Sequence, residues 1–79
     1  MNAPTADRLQ DVFRAVFEMP DGADVTHLRQ LNMPRWDSLA HVSLVTAIES
    51  EFGLTLEPTD QLRMTSYAAT AALLPEKMS

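Results

Sequence analysis

The sequence predicts an all-α protein: a four-helix bundle with three longer helices, one short third helix and a long first loop. Three observations carry this. Leu9, Val12, Phe13, Val16 and Phe17 recur at the full helical spacing. A second amphipathic stretch, from Arg35 to Gly53, has a clear start and stop. The last stretch, from Tyr67, is alanine-rich, with room for close packing.

The chain has 79 residues, enough for a single domain spanning 1–79, with an ordered core of about 6–75. A core this small gives only a few kcal/mol of net stability, so the fold must be locally consistent. There is no cysteine, hence no disulfide framework and no thiolate metal site. No apolar run approaches the ~18 residues that span a bilayer, and the first ten residues lack the basic start of a secretory signal. These features predict a soluble, cytoplasmic protein. Eleven acids against six bases give a net charge of −5. That balance argues against nucleic acid and anionic membranes, and favours basic partners.

In the first helix, expected from Ala6, the stripe from Leu9 to Phe17 supplies much of the core, and residues 1–5 fray. Met19-Pro20-Asp21-Gly22 then turns the chain. The connection that follows is longer than bundle loops usually are. Val25, Leu28, Leu31 and Met33 are expected to pin it, with a short helical turn over 26–31. Trp36 reads as a core or staple residue with its N–H near solvent, the alternative being a role in binding.

The second helix is the most informative. Asp37 stands at the N-cap and Gly53 at a left-handed C-cap. His41, Leu44, Val45, Ile48 and Phe52 fall within about 100° of arc and face the core, His41 at its edge. Leu39, Val42, Ser43, Thr46, Glu49 and Ser50 fall opposite. Leu39 and Val42 make a small apolar strip with an acidic border, a surface for a docking partner or for another helix of the bundle. Ser38 occupies the first helical position, where amides and a partial positive charge accommodate a phosphate ester or serve an ordinary cap.

Leu54 and Leu56 alternate inward on an extended stretch. A short helix over 59–63 points Leu62 in, and Thr65 or Ser66 caps the last helix. Tyr67, Ala71 and Leu74 form its inner line; Pro75 limits it and residues 76–79 fray.

Ser38 and His41, three apart on one helix, can touch, with Asp37 adjacent. A hydrolase also needs an oxyanion hole and a dry pocket, for which this chain has little room, so no enzyme is expected. His27 reads as a loop surface residue. Glu49 with Glu51 and Asp21 with Asp24 read as solvated carboxylates rather than a metal site.

Asp37-Ser38-Leu39 at a helix start, Glu51-Phe52-Gly53-Leu54 at its end and Met64-Thr65-Ser66 before a final helix resemble acyl carrier proteins. The landmarks align without a gap, and the likeness runs from about Asp7 to Leu74. The resemblance implies an acyl-carrier-like, non-catalytic monomer. Ser38 would carry 4′-phosphopantetheine, transferred from coenzyme A by a phosphopantetheinyl transferase, with Asp37 and Leu39 completing the attachment motif. The arm's thiol would hold an acyl group as a thioester, and the tether would raise its local concentration at docked enzymes. Acyl-loading and acyl-transfer enzymes would dock at Leu39, Val42, Glu49 and Glu51. Leu44, Ile48 and Leu62 would line the acyl pocket. The chain departs from housekeeping fatty-acid carriers in having Ala40, His41 and Ser43 after Leu39, Thr46 for a larger apolar residue, and Arg35 beside the site. Docking should then lean on shape more than charge, as in a specialised lipid or polyketide-type pathway. The alternatives are an aminoacyl or peptidyl carrier of a nonribosomal-type system, and an unmodified helical interaction module using the same Leu39/Val42 strip.

Overall fold

The stripe on the first helix becomes the floor of the core. In a computed structural model, which describes residues 3–78, four α-helices form: α1 (Ala3–Val16), α2 (Ser38–Phe52), α3 (Pro58–Arg63) and α4 (Tyr67–Met78). A 3-10 turn, Gln30–Asn32, interrupts the first loop, and no strand occurs among the described residues. None of these helices is long and apolar enough to cross a membrane.

α1 begins at Ala3, earlier than the expected Ala6. Pro4 is tolerated there because a first-turn amide has no intrahelical partner to lose. Residues 3–5 therefore belong to the helix, while residues 1–2 lie outside the described part. Leu9, Val12, Phe13 and Phe17 are buried. The helix closes with Met19 N donating to Arg14 O at 2.8 Å and Glu18 N to Ala15 O at 3.4 Å. That closure puts Glu18 at φ +55°, the left-handed position usually given to glycine.

The first loop is pinned, though differently from its apolar pattern. Val25 and Leu28 are buried as expected, but Leu31 is 92% exposed. Backbone bonds hold this part instead: Gln30 N donates to Thr65 O at 3.0 Å and Tyr67 N to Leu28 O at 2.9 Å. With the backbone fixed to the start of α4, the side chain of Leu31 is free to face water. The one helical turn forms at 30–32, later than the expected 26–31.

Trp36 is 5% exposed and sits in the core within an aromatic cluster, while its N–H, expected near solvent, is bonded to His41. Its ring lies 5.7 Å from Phe13, edge to face, and 5.2 Å from Phe17. Tyr67 of α4 meets Phe13 at 5.2 Å. One phenyl ring thereby joins α1, the loop and α4.

α2 forms between its two caps. Asp37 accepts from Ala40 N at 2.8 Å, and Gly53 takes φ +63°. Leu44, Val45 and Ile48 are buried. Phe52 is partly buried, with the Arg8 guanidinium 4.8 Å from its ring centre.

α3 turns Leu62 outward, where it is 79% exposed, against the expected inward direction. Asp60 and Met64, one turn apart, take the inner side, and Leu62 sits about 200° round from Asp60 at the helical period. At the start of α4, Ser66 rather than Thr65 is the cap, accepting from Ala69 N at 3.0 Å. Tyr67, Thr70, Leu73 and Leu74 are buried, and Ala71 is partly so. α4 runs through Pro75 to Met78, which corrects the expected stop and the expected fraying of 76–78, while residue 79 lies outside the described part. Proline removes one helix bond there. Two ion pairs to α3 hold the last turn in place: Arg63–Glu76 at 2.9 Å and Lys77–Asp60 at 2.8 Å.

Candidate functional site

Ser38 is exposed and opens α2. Asp37 shapes that start twice: its carboxylate accepts from Ala40 N, and its carbonyl accepts from His41 N at 2.9 Å. The amides nearest Ser38 thus sit at the positive end of a 15-residue helix.

Two depressions flank this point, and Asp37 borders both. The larger, about 600 Å³, lies between α2 and α3, with Ser38 on its rim and Trp36, His41, Val42, Gln61 and Leu62 as walls. The smaller, about 290 Å³, lies between α2 and the end of α1, under Leu39, with Glu18 and Arg35 at its edge. Arg35 is directed away from Ser38: its guanidinium donates to Phe17 O at 2.8 Å, at the carbonyl-rich end of α1.

His41 joins three segments. The indole N–H of Trp36, a pure donor, reaches His41 Nδ1 at 3.0 Å. Nδ1 must therefore accept, so the ring proton sits on Nε2. That N–H donates to Gln61 O, 2.9 Å away on α3. With both ring nitrogens engaged, neither is bonded to Ser38.

The other site candidates separate into groups. Leu39 and Val42 are 76% and 61% exposed, so they are surface rather than core. Leu62 and Leu31 are exposed as well, and Leu62 shares the larger groove with Val42 and Ser38. Leu44 and Ile48 are fully buried core residues on the His41 face of α2, and neither is among the walls of the groove that Leu62 borders.

The carboxylates predicted as solvated are largely engaged. Glu49 accepts from Leu56 N at 2.8 Å, tying α2 to the segment before α3. Glu51 pairs with Arg8 of α1 at 2.8 Å. Asp24 caps a local turn, accepting from Thr26 N at 2.9 Å and Thr26 Oγ1 at 2.6 Å. Those bonds, the hydroxyl's first, hold its carboxyl below the usual range. No group of three or more His, Cys, Asp or Glu side chains among the described residues could hold a metal ion.

The Trp36–His41–Gln61 chain is the part the sequence left unmarked. His41 stands out there only as a polar residue in an apolar stripe. Its partner on α3 is a backbone carbonyl, which any residue supplies, so no residue type signals it. Comparison of the chain with protein-family models gives no match, and comparison with curated proteins gives no significant match.

Proposed function

We propose that the chain is an acyl carrier whose Ser38 accepts 4′-phosphopantetheine and whose surface around Ser38 receives partner enzymes. The observation that carries this reading is the setting of Ser38: an exposed hydroxyl at a helix start, ringed by exposed Leu39, Val42 and Leu62. Monomeric proteins scatter single apolar residues, but a cluster around one hydroxyl marks a surface that is covered during function.

The residues present fit the group. A phosphodiester on Ser38 Oγ would meet the first-turn amides and the positive end of α2. The neighbouring groove offers apolar walls in Trp36, Val42 and Leu62 and amides in Gln30 and Gln61. That mixture suits an arm built of amide and branched aliphatic units. When attached, the arm supplies a thiol that carries an acyl group as a thioester. The chain's own work is to present the hydroxyl to a transferase, hold the start of α2 rigid through Asp37, and offer Leu39, Val42 and Leu62 to successive enzymes. Since Glu49 and Glu51 are engaged within the fold, that contact relies on apolar shape more than on acidic residues. A specialised lipid or polyketide-type pathway is the setting we favour.

Intact mass after incubation with coenzyme A and a broad-specificity phosphopantetheinyl transferase tests this. One added arm on the parent and none on Ser38→Ala is the expected result. A folded parent left unmodified by several transferases would shift the assignment to a helical interaction module that uses the same apolar surface.

A further inference from the structure

We infer that His41 is a positioning residue whose own proton sets how firmly the chain is held at Ser38. The Trp36–His41–Gln61 chain ties together three segments that meet beside Ser38. Trp36 stands two residues before Ser38 and is seated in the core against Phe13 and Phe17. His41 stands three residues after Ser38, within the first turns of α2. Gln61 belongs to α3, whose Leu62 forms the opposite wall of the groove.

The two bonds of His41 respond differently to protonation. Nδ1 accepts from the indole only while it carries no proton. A proton on Nδ1 sets N–H against N–H across a 3.0 Å contact, so that bond cannot persist. The Nε2–H bond to Gln61 O survives and becomes charge-assisted. Protonation therefore releases Trp36 while keeping His41 on α3. The released residue is the one that anchors the segment leading into Asp37 and Ser38. The chain is clasped when His41 is neutral and loosened when it is charged.

The charged groups on the segments packed against His41 have partners of their own. From α2, Asp37 is the charged residue on the shared groove, and the positive end of the helix opposes it. From α3, Asp60 is paired with Lys77 and Arg63 with Glu76. From the loop, Arg35 is bonded to Phe17 O, and Gln30 and Trp36 carry no charge. The two rings meet edge to edge, with centroids 6.2 Å apart and planes 24° from parallel, so the N–H···N bond is the contact that protonation opposes.

The clasp stands on the fold alone; only its consequence for a modified Ser38 rests on the carrier reading. The test uses the unmodified full chain, so failure of modification and failure of the clasp are read separately. Nuclear magnetic resonance would follow the Trp36 indole N–H, the Ser38 amide and both histidine rings from about pH 8 to about pH 5, where imidazoles change charge. The indole and Ser38 signals are expected to shift in step with the His41 ring. His27→Gln, which alters an exposed loop residue, should leave that response intact, and His41→Gln should abolish it. Trp36→Phe, which removes the donor but keeps an aromatic ring, should leave His41 titrating without moving the Ser38 amide. An indole signal that stays fixed while the His41 ring titrates overturns the inference. So does an unchanged response in His41→Gln, or a His41 ring that takes no proton before the chain unfolds.

Discussion

Lys77 stands two residues beyond Pro75 and places its ammonium 2.8 Å from the Asp60 carboxylate of α3. The contact explains why α4 does not stop at its proline. It also joins the last turn of α4 to the short helix that walls the groove beside Ser38.

Lys77 is the main reason Asp60 keeps its carboxyl below the usual range, with the Glu57 amide second. Asp60 in turn holds Lys77 above its ordinary value. A depressed carboxyl stabilises the fold above its unfolded value, and that contribution is lost as pH falls through the folded one. The raised lysine contributes below its unfolded value and loses this as pH rises through the folded one. Lys77→Met should therefore flatten both limbs of the stability profile, below about pH 4 and above about pH 10. Urea midpoints measured across pH check this. Parallel profiles for parent and variant would show that the pair does not set the pH dependence. Glu76, lowered chiefly by its bond to Arg63, keeps part of the acid limb in the variant.

Glu18 occupies a left-handed position at φ +55° with a side chain that gains nothing from it. Such a conformation costs an L-residue about 1–2 kcal/mol that glycine avoids. Glu18→Gly should raise the unfolding free energy by about 1 kcal/mol, less some unfolded-state entropy. Denaturant unfolding with an unchanged m value would show it. A lower midpoint would mean that the end of α1 is held by Glu18 itself.

Phe13 has no exposed surface and meets Phe17, Trp36 and Tyr67. Phe13→Ala should cost about 3–5 kcal/mol, comparable to all the stability a chain of this size has. The variant should lack a cooperative thermal transition by circular dichroism. A clear transition within a few degrees of the parent's would contradict the central place given to this ring.

Leu62 is a surface residue, so Leu62→Asn should change stability by no more than about 0.5 kcal/mol. On the carrier reading it should slow modification of Ser38 by raising the transferase KM, because an apolar contact is removed. Unchanged kinetics would take Leu62 out of the docking surface, and a large loss of stability would mean that it packs inside.

Much of the fold was legible because its signals are local. Asp37 and Gly53 bracket α2 through bonds within one turn of themselves, and the α1 stripe fixes its inner face by period alone. The prominence of Ser38 follows from the same caps. Leu31 and Leu62 could not be read this way. Each lies on a short element whose facing is decided by contacts far along the chain: Gln30 with Thr65, and Asp60 with Lys77. The helix past Pro75 was hidden for the same reason, since its support comes from α3.

The all-α class, the span of α2 and the serine at its start can be read from residue types alone, because caps, breakers and helical period act within a few residues. Packing settles which apolar residues are surface, which carboxylates are already engaged, and that His41 links Trp36 to α3. Those outcomes depend on groups as far as 43 positions apart, as Arg8 and Glu51 are, and hydrogen bonds to backbone carbonyls leave no mark in residue type.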